Sequence, residues 1–320
     1  MRDRMRRVAR GAVGLWLLVA GCGDDGTGGA DAAPRPDAAP RADAAPPDAG
    51  LPTTFGGDRP AELLVPANYD PAVPAPLVVL LHGYSEDPTF ITGYTRFDTL
   101  VDSEGVLVIA PPGLKDGAGK GYWNATDACC DFEGSGVDDV AYLAGIVADI
   151  RAAYNVDPKR IFAIGHSNGG FMAYRLACDM ADTFAAVVSI AGATFADSTA
   201  CSPAEPVSVL QVHGDADQTI LYDGGAIEFP DGAMRAYPSA ADTVAMWAGY
   251  DGCATTTAAG TAFDLDLLAA DAETTPSAYD GCPSGVGVEL WTAAGSGHVM
   301  SFSDAVPGVF WAWMKAHPKP

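Results

Sequence analysis

Residues 161–170 read Ile-Phe-Ala-Ile-Gly-His-Ser-Asn-Gly-Gly, and this stretch decides the fold. A short apolar run stops at Gly165, Ser167 follows, and the helix-like segment Phe171–Met180 comes next. In a strand, turn and helix of this kind, the two glycines that flank the serine let it occupy a sharp corner. Its hydroxyl is then held out of the sheet, near the N-terminal dipole of the helix. The pattern therefore predicts that Ser167 is a nucleophile.

Apolar runs and helical patterns alternate on both sides of this corner. Alternation of this kind predicts a parallel sheet with helices on both faces, in one large α/β domain. The predicted strands are Ala61–Tyr69, Pro76–Leu81, Gly105–Pro111, Arg160–Gly165, Ala186–Ala191, Val207–His213 and Val286–Trp291. The predicted helices are Phe90–Val101, Val137–Tyr154, Phe171–Met180, Pro238–Gly249 and Asp304–Lys315. Residues 220–235 and 251–285 are expected to be insertions that carry substrate loops.

The N-terminal residues predict export. Residues 1–22 combine five arginines, an apolar run and small residues before Cys22, as in a bacterial lipoprotein signal whose cysteine is lipidated. The alternative is an ordinary secretory signal in which the cysteine is incidental. Residues 23–55 are rich in Ala, Asp and Pro and predict a disordered tether, followed by a catalytic domain over 56–320. We expect an exported protein, either an envelope lipoprotein or an extracellular one.

The charge of the chain restricts its partners. Its 41 acidic and 18 basic side chains give a formal net charge of −23 at pH 7. No basic stripe is present to neutralise phosphates, so nucleic acid is excluded as a partner and polyanionic substrates are disfavoured. A neutral polymer or a small ester fits better. We expect a monomer that contacts a membrane only through a lipid on Cys22.

Cysteine usage supports export and argues against a metal. Beyond Cys22 there are six cysteines, an even number that predicts disulfides in an exported domain. Short loop closures favour the pairs Cys178–Cys201 and Cys253–Cys282, which leaves Cys129 and Cys130 either joined to each other or free. The sequence has no Cys-x-x-Cys and no histidines at ligand spacing, so we expect neither a metal nor another cofactor.

A serine nucleophile needs a base, and the base needs an acid to orient it. Downstream of Ser167, one predicted strand leads into Asp215 and Asp217, and a later strand leads into His298. The order Ser, Asp, His and the placement at strand ends match a hydrolase triad. Asp217 is the preferred acid because it lies farther into its loop, whereas Asp215 is expected to brace the turn. His298 is the predicted base.

The predicted oxyanion donors are two backbone amides. One belongs to Asn168, the residue after the nucleophile, and the other to Tyr84, in the turn after the second apolar strand. His82 and His166 are expected to shape the site without transferring protons. His213, at a strand end, is expected to be a hydrogen-bonded core residue.

Nine short sequence motifs follow one another between roughly residues 60 and 312. They are Leu81-His82-Gly83, Trp123-Asn124, Cys129-Cys130, Val137-Asp138-Asp139-Val140, Val156-Asp157-Pro158-x-Arg160, Gly165-His166-Ser167-Asn168-Gly169-Gly170, Phe184-Ala185-Ala186-Val187-Val188, His213-Gly214-x-x-Asp217 and Gly297-His298. In this order they resemble the polyhydroxybutyrate depolymerase-like esterases, which include feruloyl and acetylxylan esterases. The resemblance implies an α/β-hydrolase fold, a Ser–Asp–His triad that uses Asp217, no metal, and action on carboxylic esters. Trp123 and Trp291 are then candidates to flank the acyl group, or else core tryptophans.

The leading hypothesis is therefore a secreted serine esterase that acts through an acyl-enzyme. Its substrate is a neutral ester of a plant polysaccharide or a polyhydroxyalkanoate, and the sequence leaves open which one. One alternative is a secreted serine peptidase that uses the same triad. The other is a surface lipoprotein that binds carbohydrate without catalysis.

Overall fold

A mostly parallel sheet forms the centre of the computed structural model, which describes residues 50–320. The predicted leader, Cys22 and most of the tether lie outside the described residues. The strands are β1 (Thr54–Phe55), β2 (Ala61–Leu64), β3 (Ala75–Leu81), β4 (Leu107–Ile109), β5 (Leu114–Lys115), β6 (Gly121–Tyr122), β7 (Val156–His166), β8 (Ala186–Ile190), β9 (Ser208–Gly214), β10 (Gly225–Glu228), β11 (Met234–Tyr237), β12 (Thr257–Ala259), β13 (Thr274–Tyr279) and β14 (Val288–Ala293). The α-helices are α1 (Pro88–Thr95), α2 (Leu100–Glu104), α3 (Asp139–Ala153), α4 (Asn168–Asp179), α5 (Ala240–Tyr250) and α6 (Val306–Ala316).

Within residues 50–320, ten strands pair in the order β1-β2-β4-β3-β7-β8-β9-β14-β13-β12. The six strands from β4 to β14 in this order pair in parallel, and the strands at both edges pair antiparallel. The predicted sheet is thus confirmed. Since parallel strands are buried on both faces, β3 is a continuous apolar run whose seven residues are all buried.

Alternate residues of β3 serve opposite layers of the core. Leu77, Val79 and Leu81 pack in one cluster with buried residues of α3, α4 and α5. Val78 and Leu80 pack in the other cluster, with residues of α1, α2 and α6. This period of two places three helices on each face of the sheet. The arrangement leaves the carboxyl ends of the parallel strands at one edge, where loops carry the candidate site.

Several elements differ from the prediction in their limits. Thr54–Phe55, the last two residues of the predicted tether, pair with β2, and Phe55 is buried. The predicted helix Phe90–Val101 is broken at Arg96, whose left-handed backbone (φ 54°) ends α1. The first insertion folds into the β10–β11 hairpin, and the second supplies β12 and β13, which extend the sheet.

The predicted disulfide pairing is present. Cys178 at the end of α4 is joined to Cys201, and Cys253 is joined to Cys282. Cys129 and Cys130, which the sequence left open, are joined to each other. Among residues 50–320, no helix combines the length and the apolar character needed to cross a bilayer.

Asp251, at the C-terminal end of α5, should make the free energy of unfolding depend on pH. Burial raises the pKa of this carboxyl to about 7, although its Oδ1 accepts from the Val207 amide. The folded state therefore holds this proton more tightly than the unfolded state. The stabilisation from the neutral acid is full below the unfolded pKa of about 4 and is lost as the pH rises through the folded value.

We expect Asp251→Asn, which has no charge to bury, to gain stability over the wild type as the pH rises. The difference in free energy of unfolding should grow by on the order of 3 kcal/mol between about pH 4 and about pH 8 in urea titrations. Asp149→Asn, on the exposed face of α3, is the matched control. Equal pH profiles for the two variants would refute the prediction.

Candidate active site

Ser167 occupies a strained corner between β7 and α4. Its backbone is in the left-handed half of conformational space (φ 53°, ψ −120°), and its amide donates to the Ile190 carbonyl at 2.8 Å. The flanking positions must be glycine because a side chain there would clash with neighbouring backbone. A Cβ on Gly165 would lie 1.9 Å from the Gly169 carbonyl oxygen, and one on Gly169 would lie 2.0 Å from the Leu81 carbonyl oxygen. The sequence pattern thus marks a place where three backbone segments meet without side chains between them.

His298 and Asp217 meet beside this corner. The His298 Nδ1 lies 2.7 Å from Asp217 Oδ2. Asp217 follows β9 and His298 follows β14, and these strands are parallel neighbours. Their carboxyl ends therefore bring together two residues that are 81 positions apart in the chain. With Nδ1 engaged by the carboxylate, Nε2 is the nitrogen left to accept a proton.

The Asp217 carboxylate is buried among donors. Oδ1 accepts from the amides of Thr219 (2.7 Å) and Ile220 (3.0 Å). Oδ2 lies 2.7 Å from His298 Nδ1 and 3.3 Å from His213 Nε2. Burial acts against ionisation, but the hydrogen bonds from His213 and His298 outweigh it and hold the pKa of Asp217 well below its ordinary value. The group is an anion at every pH near neutral.

Asp215 has the other role that the sequence allowed. Its Oδ1 accepts from the Gly295 amide at 2.6 Å, so it ties the loop after β9 to the loop after β14. His213 is buried as expected. Its Nδ1 lies 3.0 Å from Nε2 of the Gln211 side chain, and its Nε2 lies 2.8 Å from the Ile220 carbonyl oxygen. Its contact with Asp217 was not predicted from the sequence. The two residues are four positions apart at the end of a strand, and this spacing could have indicated the contact.

The base lies next to the nucleophile corner. His166, which precedes Ser167, has its Nε2 3.1 Å from the His298 carbonyl oxygen, and the two rings are 5.0 Å apart. Within residues 50–320, no hydrogen bond joins the Ser167 hydroxyl to His298. Catalytic hydrogen bonds in ligand-free enzymes are commonly long and tighten when the substrate binds.

The two predicted oxyanion donors are free. In the turn after β3, the Gly83 amide donates to Glu86 at 2.6 Å, and the Ser85 amide donates to Gly121 at 2.8 Å. Among the described residues, the Tyr84 amide between them has no acceptor, and neither has the Asn168 amide at the start of α4. The close approach of Gly169 to Leu81 holds the two segments together. An oxyanion that lay between the two segments would accept hydrogen bonds from both N–H groups.

Trp123 supports this arrangement and does not face a substrate. It is fully buried, and its Nε1 donates to the His82 carbonyl at 2.9 Å. Its backbone amide and carbonyl are paired with the side chain of Asn168 at 2.7 and 3.0 Å. Of the two alternatives that the sequence left open for Trp123, this burial favours a core tryptophan over one that flanks an acyl group. The hydrogen bonds of Trp123 connect the side chain of Asn168 with the backbone of His82.

Trp291 is also buried, which favours the core alternative for this residue as well. It is buried between Phe263 and Phe310, with ring centroids 5.1 and 6.0 Å away, and its Nε1 donates to Glu289. His82 is buried as well, accepts from the Gly113 amide at 2.9 Å, and has its pKa lowered by burial.

An aromatic row starts at Tyr84 and lines the cleft beside the site. Its rings are those of Tyr84, Phe132 and Phe229, with successive centroids 5.1 and 5.0 Å apart. Burial and a 2.7 Å hydrogen bond to Asp116 raise the pKa of Tyr84 to about 12. A cleft of about 550 Å³ contains this row, and a second of about 700 Å³ adjoins it through Phe132 and Phe229. Carboxylates on the walls are those of Asp116, Asp127, Asp131, Glu133, Glu228 and Asp231.

Comparison with known proteins gives a consistent assignment. The model of the family described as esterase PHB depolymerase matches residues 64–263. The putative esterase NocK of Nocardia uniformis subsp. tsuyamanensis is 33% identical over 48% of this chain and 44% of its own length. Feruloyl esterase B of Piromyces equi is 28% identical over 78% of this chain and 41% of its own length. The chain thus spans less than half the length of these two relatives.

Among solved structures, an acetyl xylan esterase from Aspergillus awamori superposes with a TM-score of 0.56. It is 17% identical, and the match covers 81% of this chain and 94% of that one. This likeness is one of fold. The α/β-hydrolase fold predicted from the sequence is confirmed.

The two aspartates provide a matched test of the site. We expect Asp217→Asn to slow the labelling of Ser167 by a fluorophosphonate by at least about 100-fold, because the imidazole loses the carboxylate that orients it. Asp215→Asn should stay within a few-fold of the wild type. The rate is measured by fluorescence of the labelled band. Equal effects of the two substitutions would contradict the assignment of the acid.

Proposed function

Because this chain belongs to the esterase PHB depolymerase family, we propose that it is a serine hydrolase of carboxylic esters. The observation that carries this proposal is the pairing of His298 with Asp217 beside the strained Ser167 corner. The free amides of Tyr84 and Asn168 supply what such a nucleophile needs for acyl transfer. No described group of three or more His, Cys, Asp or Glu side chains has a metal-binding arrangement.

In the proposed reaction, the Ser167 Oγ attacks the ester carbonyl while its proton passes to His298 Nε2. The carbonyl oxygen becomes an oxyanion that accepts from the amides of Tyr84 and Asn168. The bond to the alkoxy group then breaks, and His298 returns the proton to the leaving alcohol. Water attacks the acyl-enzyme in the same way, with His298 as base, and releases the carboxylic acid. Asp217 stays ionised throughout and stabilises the imidazolium.

The cleft supports a neutral, hydroxyl-rich substrate. The partly exposed ring of Phe132, which packs on the buried Phe229, can pack against a sugar or phenolic ring, and the wall carboxylates can accept from hydroxyl groups. The six carboxylates outnumber the two arginines of the larger cleft, Arg175 and Arg235, and so disfavour an anionic ligand. The smaller cleft is lined by Tyr84, one of the two proposed oxyanion donors. A polysaccharide bound there would therefore bring its ester close to Ser167. We therefore propose esters of plant polysaccharides or their oligomers ahead of polyhydroxyalkanoates.

The leader and the cysteines support export of this activity. Three disulfides among the described residues fit an oxidising compartment. We propose that residues 1–21 are removed and that Cys22 carries a lipid, with the residues that follow as a tether. The enzyme would then act at the cell envelope as a monomer. The catalytic domain would stand away from the membrane on this tether.

Replacement of the nucleophile tests the activity. We expect Ser167→Ala to lower kcat on p-nitrophenyl butyrate by at least about 1000-fold, because no other described group at the corner can form the acyl-enzyme. Ser296→Ala, which removes a buried hydroxyl next to the His298 loop, is the control. Methyl ferulate, acetylated xylan and hydroxybutyrate oligomers then rank the substrates. Undiminished turnover by Ser167→Ala would refute the proposal.

Lipidation has its own test in cells that express the full chain. We expect the wild-type protein in the membrane fraction and Cys22→Ser in the soluble or secreted fraction, because a thiol is needed to carry the lipid. The fractions are compared by immunoblot. A wild-type protein found wholly outside the membrane fraction would leave an ordinary secretory signal as the explanation.

A further inference from the structure

Glu86 has no part in the reaction above, yet it touches two of the segments that carry it. Its Oε2 accepts from the Gly83 amide at 2.6 Å, inside the turn that presents the Tyr84 amide. Its Oε1 lies 3.1 Å from His166 Nδ1, next to Ser167. The Glu86 side chain is 17% exposed and that of His166 is 1% exposed. A largely buried carboxylate thus joins the oxyanion turn to the nucleophile strand.

His166 extends this contact to the base. Its Nε2 lies 3.1 Å from the carbonyl oxygen of His298. Three chain segments that lie far apart in sequence therefore meet on two side chains: the turn after β3, the end of β7 and the loop after β14. These are the segments that supply an oxyanion donor, the nucleophile and the base.

The two contacts of His166 bear on how many of its ring nitrogens carry hydrogen. Both partners, a carboxylate and a carbonyl, are acceptors without a hydrogen to give. A neutral imidazole carries hydrogen on only one ring nitrogen, so one lone pair would face an oxygen lone pair. With Glu86 as the carboxylate, both contacts are hydrogen bonds only when the ring carries both hydrogens. The Glu86 carboxylate then neutralises a ring that is otherwise enclosed, with the ring of Tyr94 at 5.1 Å.

We propose that Glu86 and a protonated His166 form an ion pair that positions the Tyr84 amide and His298 relative to Ser167. The inference rests on the proposed function, because it concerns the same Ser167 centre. Neither side chain reaches the reacting atoms, so both are positioning residues. The pair uses the Gly83 amide and thereby leaves the Tyr84 amide as the free donor of the turn.

The positioning acts on the transition state. A displaced Tyr84 amide weakens the hydrogen bond to the oxyanion, which exists only after attack. A displaced His298 loop slows proton transfer from Ser167. Loss of the pair should therefore lower kcat with little change in KM, because among the described residues the pair makes no hydrogen bond to Phe132 or to the carboxylates of the cleft wall.

The test is a double-mutant cycle of Glu86→Gln, His166→Gln and the two together. The readouts are the rate of Ser167 labelling by a fluorophosphonate, and kcat and KM on p-nitrophenyl butyrate. We expect each single variant to lose about 10- to 100-fold in kcat and in labelling rate, with KM within about threefold. The double variant should lose no more than the worse single variant, because both remove one interaction.

Asp102→Asn is the matched control, since that carboxylate also accepts a backbone amide, from Ala67, but lies on α2 before β4. It should leave labelling and kcat unchanged. Losses that multiply in the double variant, or that fall on KM alone, would overturn the proposal. In the wild-type protein, the ring ¹⁵N resonances of His166 should show hydrogen on both nitrogens, and a singly protonated ring would overturn the ion pair.

The labelling readout separates this inference from the proposed function. A wild-type protein that labels at Ser167 but hydrolyses no ester in the panel would refute the proposed substrate class. The cycle would still be measured by labelling and would still decide the role of the pair. A wild-type protein that does not label would refute both.

Discussion

The contact on which the structure depends is the close approach of the Ser167 corner to the end of β3. Gly169 lies against the Leu81 carbonyl, and Gly165 lies against Gly169, at distances that admit no side chain. This approach sets the start of α4 beside the turn that follows β3. It thereby holds the segment that carries the free Asn168 amide next to the turn that carries the free Tyr84 amide. A methyl group at either glycine would push apart the two segments of the proposed oxyanion site.

The polar groups around this corner are held by buried hydrogen bonds. Asp217 has donors on both oxygens, Asn168 is paired with the backbone of Trp123, and Glu86 is bonded to Gly83. Partners of this kind fix each group before a substrate arrives, so little reorganisation is needed during the reaction. They also explain why loops at the carboxyl edge of the sheet, far apart in sequence, keep one geometry.

The sequence predicts most of the fold, and it singles out most residues of the proposed site, because their signals are local. Ser167 lies in a glycine-framed corner, Asp217 and His298 follow apolar strands, and the amide of Asn168 is specified by its position. The roles of Trp123, Trp291 and Glu86 depend on contacts across the chain. Trp123 bonds to residues 41 and 45 positions away, and Glu86 contacts His166 80 positions away. No periodicity or spacing contains that information, and a buried tryptophan has the same local pattern as a substrate-facing one.

In the proposed reaction, Ser167 attacks while the amides of Tyr84 and Asn168 stabilise the developing negative charge. A crystal structure of the protein after reaction with diethyl p-nitrophenyl phosphate would show whether these groups act together. We expect phosphorus bonded to Ser167 Oγ, with the phosphoryl oxygen within hydrogen-bond distance of both amides. An adduct on another residue, or a phosphoryl oxygen that faces away from both amides, would contradict the proposed reaction.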